Sequence, residues 1–243
     1  MKVIIYILLL FLAFTSCKKS TERKCIKSSG VESTIVLDNI TANNIVLSDN
    51  ISLILVPDSM NKVELIGGEN LLSFINVFQD NKKLLISNEN KCNFLRKEDK
   101  IEVVYYFSSL DSLFLNGFGD VENRDTIYDD LYIECEESFS TIDLVLNNNK
   151  TILIGQVGGI EATFAGFSDD LYMYNSGAGK LNASKLITKK AHGHSQGLGD
   201  LFLNATEQLI VELRSRGDFY IYTTPNTDIN ITKEGDGRVF INE

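Results

Sequence analysis

The sequence predicts an all-β fold, a parallel β-helix (β-solenoid) with coils of about 20 residues and a less regular β-rich amino-terminal part. A glycine signature recurs at nearly constant spacing, alternating apolar and polar residues follow it, and the 243 residues include only two prolines. A repeat of this length is typical of a solenoid, in which each coil buries its apolar face against its neighbours. The alternative is an antiparallel sandwich with glycine-rich hairpins, which also has regularly spaced turns.

The signature is a Gly-x-Gly turn followed by a polar residue and then an apolar one. Its clearest copies lie at 117–121, 177–181, 197–201, 215–219 and 235–239. Degenerate copies lie at 138–142 and 156–160. The second glycine position is then expected at 119, 140, 158, 179, 199, 217 and 237. Glycine suits such a turn because it adopts positive φ without a steric clash.

Strands follow each signature. Leu201–Ala205 and Phe219–Tyr222 alternate with period two, and Leu209–Leu213 is a second alternating run in the same coil. This period indicates β-strands, and strands of successive coils are expected to stack in parallel at about 4.8 Å. The phase places Leu201, Phe219 and Val239 inside the solenoid.

Residues 31–116 contain strand candidates without the clear repeat. We interpret them as wider opening coils and a cap, because the terminal repeats of a solenoid are normally atypical. A separate small β-domain is the alternative.

The amino terminus predicts a leader peptide. Lys2 precedes an apolar run from Val3 to Phe14, and the run ends at Thr15-Ser16-Cys17. A small residue before cysteine resembles a bacterial lipobox, although Phe14 stands where leucine is usual. We therefore expect residues 1–17 to be a lipoprotein signal peptide, Cys17 to be lipidated, residues 18–30 to be a tether, and residues 31–243 to form one domain. Soluble secretion with Cys17 as an ordinary thiol is the alternative.

Charge and cysteines limit the partners. A net charge of −10 argues against nucleic acid and against direct contact with anionic headgroups, so the membrane is expected to be reached through the lipid anchor alone. Cys135 is in phase with Leu131 and Ile133 and is expected to be buried. Cys25 and Cys92 could form a disulfide, which their spacing neither requires nor excludes.

The leader, the strand-rich first half and the repeated Gly-x-Gly-Asp-apolar units resemble a bacterial family of unknown function, the putative auto-transporter adhesin, head GIN domain family, common in envelope lipoproteins of Bacteroidetes. The resemblance covers roughly residues 35–240. It implies a right-handed β-helix that is anchored in the cell envelope, for which we expect the outer membrane. The family offers no motif of catalytic residues to carry over, and no cofactor is expected.

Several polar residues are candidates for a metal site. Asp120, Asp200 and Asp218 recur at the signature, but the nine-residue period of calcium-binding repeats is absent. We expect surface charge ladders instead, with Lys180 beside Asp200 and Asp218 beside Arg238. His192 and His194 lack further zinc ligands at a characteristic spacing, so we expect them to lie in an exposed turn.

The strongest surface signal is aromatic. Phe202, Tyr220 and Phe240 are expected to face outward in one column, which in earlier coils reads Glu122, Asp143, Glu161 and Asn182. Such a column stabilises a sheet, and an exposed apolar stripe also marks contact surfaces. We expect a contact surface at the carboxy-terminal coil, most simply for a second copy of the chain.

Two classes of function remain open. The first is a non-enzymatic envelope module, either adhesin-like or structural, whose partner is a second copy, an envelope protein or a glycan. The alternative is a polysaccharide lyase or hydrolase, since parallel β-helices also carry such enzymes. Its candidate residues are Asp169, Asp170, Lys189, Lys190 and His192.

Overall fold

The computed structural model describes residues 28–90 and 100–242. The fold is a β-solenoid of about seven turns, and strands make up 66% of it. The described strands are β1 (Glu32–Leu37), β2 (Asn44–Asn50), β3 (Ser52–Pro57), β4 (Lys62–Gly68), β5 (Ile75–Asp80), β6 (Lys83–Asn88), β7 (Glu102–Phe107), β8 (Ser112–Phe118), β9 (Asp120–Asn123), β10 (Leu131–Cys135), β11 (Thr141–Gly155), β12 (Glu161–Asn175), β13 (Leu181–Ser195), β14 (Leu201–Leu213), β15 (Phe219–Thr223), β16 (Asp228–Lys233) and β17 (Val239–Asn242). A single turn of helix, α1 (Glu69–Leu72), follows β4.

Two parallel ladders run the length of the solenoid. Ladder A contains β6, β2, β8 and β10, the carboxyl parts of β11 to β14, and then β16. Ladder B contains β7, β3 and β9, the amino parts of β11 to β14, and then β15 and β17. Residues about one repeat apart lie side by side, as Tyr132, Ile152, Tyr172 and His192 do. This parallel register confirms the solenoid and excludes the antiparallel sandwich.

The opening coils are stacked out of sequence order. The coil of β2 and β3 lies between the coil of β6 and β7 and the coil of β8 and β9. Beyond it the pairing becomes antiparallel: β5 pairs with β6, β4 with β7, and β1 with β4. One cluster of buried apolar side chains nevertheless runs from Ala42 to Ile221, so the irregular part shares its core with the regular coils.

The core is narrow, and its side chains are matched from coil to coil. Leu201 and Phe219 are fully buried, as their phase predicts. Gly193 shows how closely the interior is filled, because a Cβ at this position would lie 2.6 Å from atoms of Leu203 and Phe219. Cys135 is also fully buried, as predicted, and burial raises the pKa of its thiol to about 12. This thiol is therefore a core group rather than a reactive one.

Two physical reasons explain why glycine occupies the turns, whereas the sequence predicts only positive φ. Positive φ occurs at Gly117, Gly119 and Gly158 among the signature glycines. In later turns, close stacking is the reason instead: a Cβ on Gly199 would lie 1.6 Å from the Gly179 carbonyl oxygen of the preceding coil.

The degenerate repeat predicted at 156–160 lies two residues further along the chain in the structure. Gly158 bridges to Ser138, so it takes the place of the first glycine, not the second. Ile160 occupies the second position, under Gly179. As a result Glu161 pairs with Thr141, and the residue between Asp143 and Asn182 in the aromatic column is Thr163. The prediction of Glu161 for that column is wrong because the degenerate copy keeps its glycines out of phase.

Candidate functional site

The three aromatic residues predicted from the sequence form one column on ladder B. Phe202, Tyr220 and Phe240 are neighbours in register on β14, β15 and β17. The ring centroids of Phe202 and Tyr220 are 4.4 Å apart, and those of Tyr220 and Phe240 are 5.0 Å apart, with nearly parallel planes. The rings stack because a parallel ladder repeats each outward position at the spacing of one strand.

Cations lie over rings at both ends of this aromatic column. Lys180 Nζ is 4.5 Å from the centroid of Phe202, and the Arg238 guanidinium is 5.0 Å from that of Phe240. Arg238 also forms the predicted pair with Asp218, at 2.7 Å, and its hydrogen bond lowers the pKa of that carboxylate. Lys180 lies one coil from Asp200, as predicted, since Leu181 pairs with Leu201. Its ammonium covers the Phe202 ring, and Asp200 accepts a hydrogen bond from the Asp218 backbone N–H at 2.8 Å.

The core is open at the carboxy-terminal end of the described solenoid. Ile231 pairs with Val211, and Ile241 pairs with Ile221. Val211 and Ile221 are fully buried, whereas Ile231 and Ile241 in the same columns are 38% and 46% exposed. Core-facing apolar side chains, the backbone edges of β16 and β17, and the aromatic column therefore lie at one end of the molecule.

A polar and aromatic cluster covers the outer face of ladder A. His192 and His194 lie on β13 and are half-buried, so the prediction of an exposed turn is wrong. Tyr172 contacts His192 edge-on with centroids 5.0 Å apart, and Tyr174 contacts His194 in the same way at 5.1 Å. Glycine is required at position 193, between the two histidines, because Phe219 fills the space beneath it.

The imidazoles of this cluster already have partners. His192 Nε2 lies 3.0 Å from Glu212 Oε1, and Arg214 Nη2 donates to Glu212 Oε2 at 2.8 Å. Burial acts to raise the pKa of Glu212, but the hydrogen bonds from Arg214 and His192 outweigh it, so the pKa lies below its usual value. Burial lowers the pKa of His194. Among residues 28–90 and 100–242, no group of three or more His, Cys, Asp or Glu residues is arranged to hold a metal ion.

The residues considered for a polysaccharide-active site form charge ladders. Lys189 Nζ pairs with Asp169 Oδ1 at 2.7 Å. In the next column Asp170 is flanked in register by Lys150 and Lys190. A shallow depression of about 260 Å³ borders this column and also touches His192. Each of the two aspartates thus has a lysine as its neighbour across the coils, an arrangement typical of a surface charge ladder.

The sequence analysis missed a second aromatic pair. Phe118 and Phe139 occupy the middle position of two successive signatures, at the corner between ladders A and B. Their rings stack with centroids 5.5 Å apart and planes 10° apart, and the side chains are 57% and 58% exposed. They border a groove of about 650 Å³, whose other lining residues include Asp49, Asn50, Asn88, Asn116 and Glu137. Comparing this middle position among repeats would have found the pair, because it reads Ala178, Leu198, Arg216 and Asp236 in later copies.

The structure does not describe the cysteine of the predicted anchor or the two cysteines whose pairing the sequence leaves open. Cys17, Cys25 and Cys92 are outside the described residues. In the part of the chain that the structure describes, no helix is both long enough and apolar enough to cross a membrane.

Comparison with known proteins places the chain among solenoids of the same build. A structure described as a putative adhesin from Bacteroides fragilis superposes with a TM-score of 0.74 at 23% identity, covering 86% of this chain and 97% of its own. A second putative adhesin, from Parabacteroides distasonis, gives a TM-score of 0.63 at 16% identity, covering 88% and 98%. A putative lipid binding protein from the same species gives 0.61 at 12%, covering 87% and 97%. At these identities the likeness shows the fold alone.

A search of curated proteins gave no match. A family model, in contrast, matches residues 43–225, a span that includes the opening coils, the Phe118–Phe139 corner and most of the regular repeats. Because the matched residues make up more than half of the chain, the protein belongs to the family described as putative auto-transporter adhesin, head GIN domain.

Proposed function

We propose that the protein is a non-enzymatic, adhesin-like binding module of the bacterial cell envelope, held at the outer membrane by lipid on Cys17. Membership of an adhesin-like family supports a role in binding. The leader that ends at Cys17 supports the envelope location and the anchor.

The observation that carries the binding role is the open carboxy-terminal end. There Ile231, Ile241 and Phe240, the last ring of the aromatic column, are all exposed, and exposed apolar surface of this kind marks contact sites. Within residues 28–90 and 100–242, β16 pairs with β14 alone and β17 with β15 alone, so the outer edge of each can pair with a further strand.

The occupant that fits this end best is a second copy of the chain. The charged residues along the edge carry both signs, with Lys233 and Arg238 beside Glu234 and Asp236. A two-fold axis brings the same patch of two copies face to face, so a patch with both charges can be complementary to itself. The axis also makes two edge strands antiparallel, a favourable pairing geometry.

Sedimentation of the full chain in detergent tests this contact. The wild-type chain is expected to be dimeric in the micromolar range, and the Phe202→Ser, Tyr220→Ser, Phe240→Ser variant is expected to be monomeric. A matched control, Phe118→Ser with Phe139→Ser, removes a stacked pair at the corner and should remain dimeric. A wild type that is monomeric at high micromolar concentration, or equal effects of the two variants, would contradict the proposed contact.

The anchor has its own test. Cys17→Ser should abolish metabolic labelling with a fatty acid and release the protein from membranes, because the thiol is the proposed acylation site. Cys135→Ser is the control, because that thiol is buried in the core and unavailable for acylation. A Cys17→Ser chain that stays membrane-bound after a carbonate wash would show that the protein is not a lipoprotein of this type.

A polysaccharide-active enzyme is the alternative function. The pairing of Asp169 with Lys189 and of Glu212 with His192 supports the non-enzymatic proposal, since these side chains are engaged with each other. Incubation of the full chain with soluble polysaccharides should leave their chain length unchanged, as measured by reducing ends. A time-dependent release of reducing or unsaturated ends would contradict the proposal.

A further inference from the structure

The groove at the corner has the shape and composition of a ligand site. Its wall is the stacked pair Phe118 and Phe139, whose side chains remain more than half exposed although they contact each other. The Phe139 backbone N–H donates to the Gly117 carbonyl oxygen at 2.9 Å, which fixes one ring above the other. A volume of about 650 Å³ lies within the range of small-molecule sites.

The next coil leaves the ring of Phe139 accessible. Gly159 follows it at the corner, and a Cβ on this glycine would lie 3.2 Å from the Cδ1 atom of Phe139. Any larger side chain at position 159 would therefore cover the ring. The glycine keeps open an apolar surface that the regular repeat would otherwise close.

Carboxamides line the groove beside the aromatic pair. Asn50 is the register neighbour of Phe118, and Asn116 lies two residues before Phe118 on β8. Both asparagines are exposed, so their amides can donate and accept hydrogen bonds to a ligand. A carboxamide beside an aromatic ring offers one polar and one apolar contact within a few ångströms.

A buried asparagine holds this side of the groove in place. The Asn88 side chain donates to the Asn50 carbonyl oxygen at 3.1 Å, and the Asn88 backbone N–H donates to the Asp49 carboxylate at 3.0 Å. Asn88 Oδ1 accepts from the Asn90 backbone N–H at 2.9 Å. The groove is thus preformed, which lowers the entropic cost of binding.

The charge of the groove selects among ligands. Its described lining residues include Asp49 and Glu137 but no lysine or arginine. An anionic ligand would be repelled by these carboxylates and by the net charge of −10. A ligand with a flat apolar face and several hydroxyl groups matches both the rings and the amides.

These features are the recognition chemistry of an uncharged sugar, and we propose that the corner groove binds a neutral glycan. The proposal rests on the binding function inferred above and adds the class of ligand. The sugar ring stacks on Phe118 and Phe139, and its hydroxyl groups bond to the amides of Asn50 and Asn116.

Affinity electrophoresis of the full chain in detergent tests the proposal. The gels contain neutral polysaccharides (mannan, galactan, xylan or mixed-linkage β-glucan) or anionic ones (polygalacturonate or alginate). Retardation by at least one neutral polysaccharide is expected, and its affinity is then measured by titration. Phe118→Ala and Phe139→Ala should each weaken binding about tenfold, as expected for an aromatic residue at the centre of a contact.

Two further variants distinguish loss of the binding surface from loss of the fold. Gly159→Leu keeps both rings but covers Phe139, and it should weaken binding at least as much as Phe139→Ala does. Leu198→Ala removes another exposed apolar side chain from the same corner, two coils beyond Gly159, and should bind like the wild type.

The outcomes distinguish the proposed glycan site from the proposed binding function of the whole protein. The glycan site is overturned if no neutral polysaccharide retards the chain, if only anionic ones do, or if binding is unchanged in Phe118→Ala, Phe139→Ala and Gly159→Leu. Binding of a peptide ligand in place of the glycan would also overturn it. The dimer contact at Phe202, Tyr220 and Phe240 would remain, because sedimentation reports it independently.

Discussion

The regular coils from β11 onward and the opening region from β1 to β7 use similar strands but present different surfaces. In the regular coils each outward position repeats, so like residues stack into columns, as Phe202, Tyr220 and Phe240 do. In the opening region the coil of β2 and β3 is inserted between later ones. The corner groove lies between the two regions, with Asp49 and Asn88 from the opening region and Phe139 from the turn that leads into β11.

This difference shows how one solenoid can carry two kinds of contact. Exact repetition produces flat ladders, in which each side chain contacts the residue at the equivalent position one coil away. A break in the repetition leaves a depression that neighbouring coils do not fill. We therefore assign self-association to the regular end and ligand binding to the junction, and the predictions below test that assignment.

The largest effect is expected in the core of the regular coils. Leu201→Asp should destabilise the protein by about 4 kcal/mol or more, because it buries an unpaired carboxylate in a fully packed interior. Thermal or denaturant unfolding measures the effect.

The control for that substitution is Gln208→Asp on the exposed face of the same strand, which should change stability by less than about 1 kcal/mol. Asn204 on the same strand is unsuitable as a control because its amide donates to the Ser184 carbonyl oxygen at 3.0 Å. Comparable losses for Leu201→Asp and Gln208→Asp would contradict the assigned phase.

An intermediate effect is expected at the junction. Asn88→Ala should cost about 2 kcal/mol, because it removes the side-chain hydrogen bonds to the backbone of Asn50 and Asn90. It should also weaken glycan binding without altering sedimentation. Asn230→Ala on β16 is a control, since that asparagine lies on the exposed face of ladder A. Loss of the dimer in Asn88→Ala would show that the two surfaces are not independent.

The smallest effect is the pH dependence of the Asp218–Arg238 pair. The Arg238 hydrogen bond lowers the pKa of Asp218 in the folded state, so the pair stabilises the fold above the usual carboxyl value of 3.8. This contribution is lost as pH falls below 3.8 through the lower folded pKa. Because Arg238 is largely exposed, solvent screens the pair and we expect its contribution to be smaller than that of the core or junction residues above.

Unfolding of the wild type and of Asp218→Asn between neutral and strongly acidic pH measures that contribution. The stability difference should be present at neutral pH and should shrink upon acidification. A difference that grows as the pH falls would contradict the direction of the pKa shift.

The sequence predicts the repeated features best. Period-two alternation placed Leu201 and Phe219 inside and Phe202 and Tyr220 outside, since a parallel ladder preserves the phase of each strand. The insertion of β2 and β3 was not predictable in this way, because residues 44–57 lack the signature that would reveal their neighbours. The sequence shows phenylalanine at the middle signature position in Phe118 and Phe139. It does not predict that their rings are exposed, because that depends on Gly159 and on the groove that the insertion creates.

Hydrogen exchange of the full chain in detergent, with and without a saturating neutral glycan, tests most directly that ligand binding and self-association use separate regions. The account predicts that the glycan slows exchange around residues 116–119 and 138–140, while residues 239–242 keep the protection that they have in the dimer. Slowed exchange confined to residues 239–242, or no change at the corner, would contradict it.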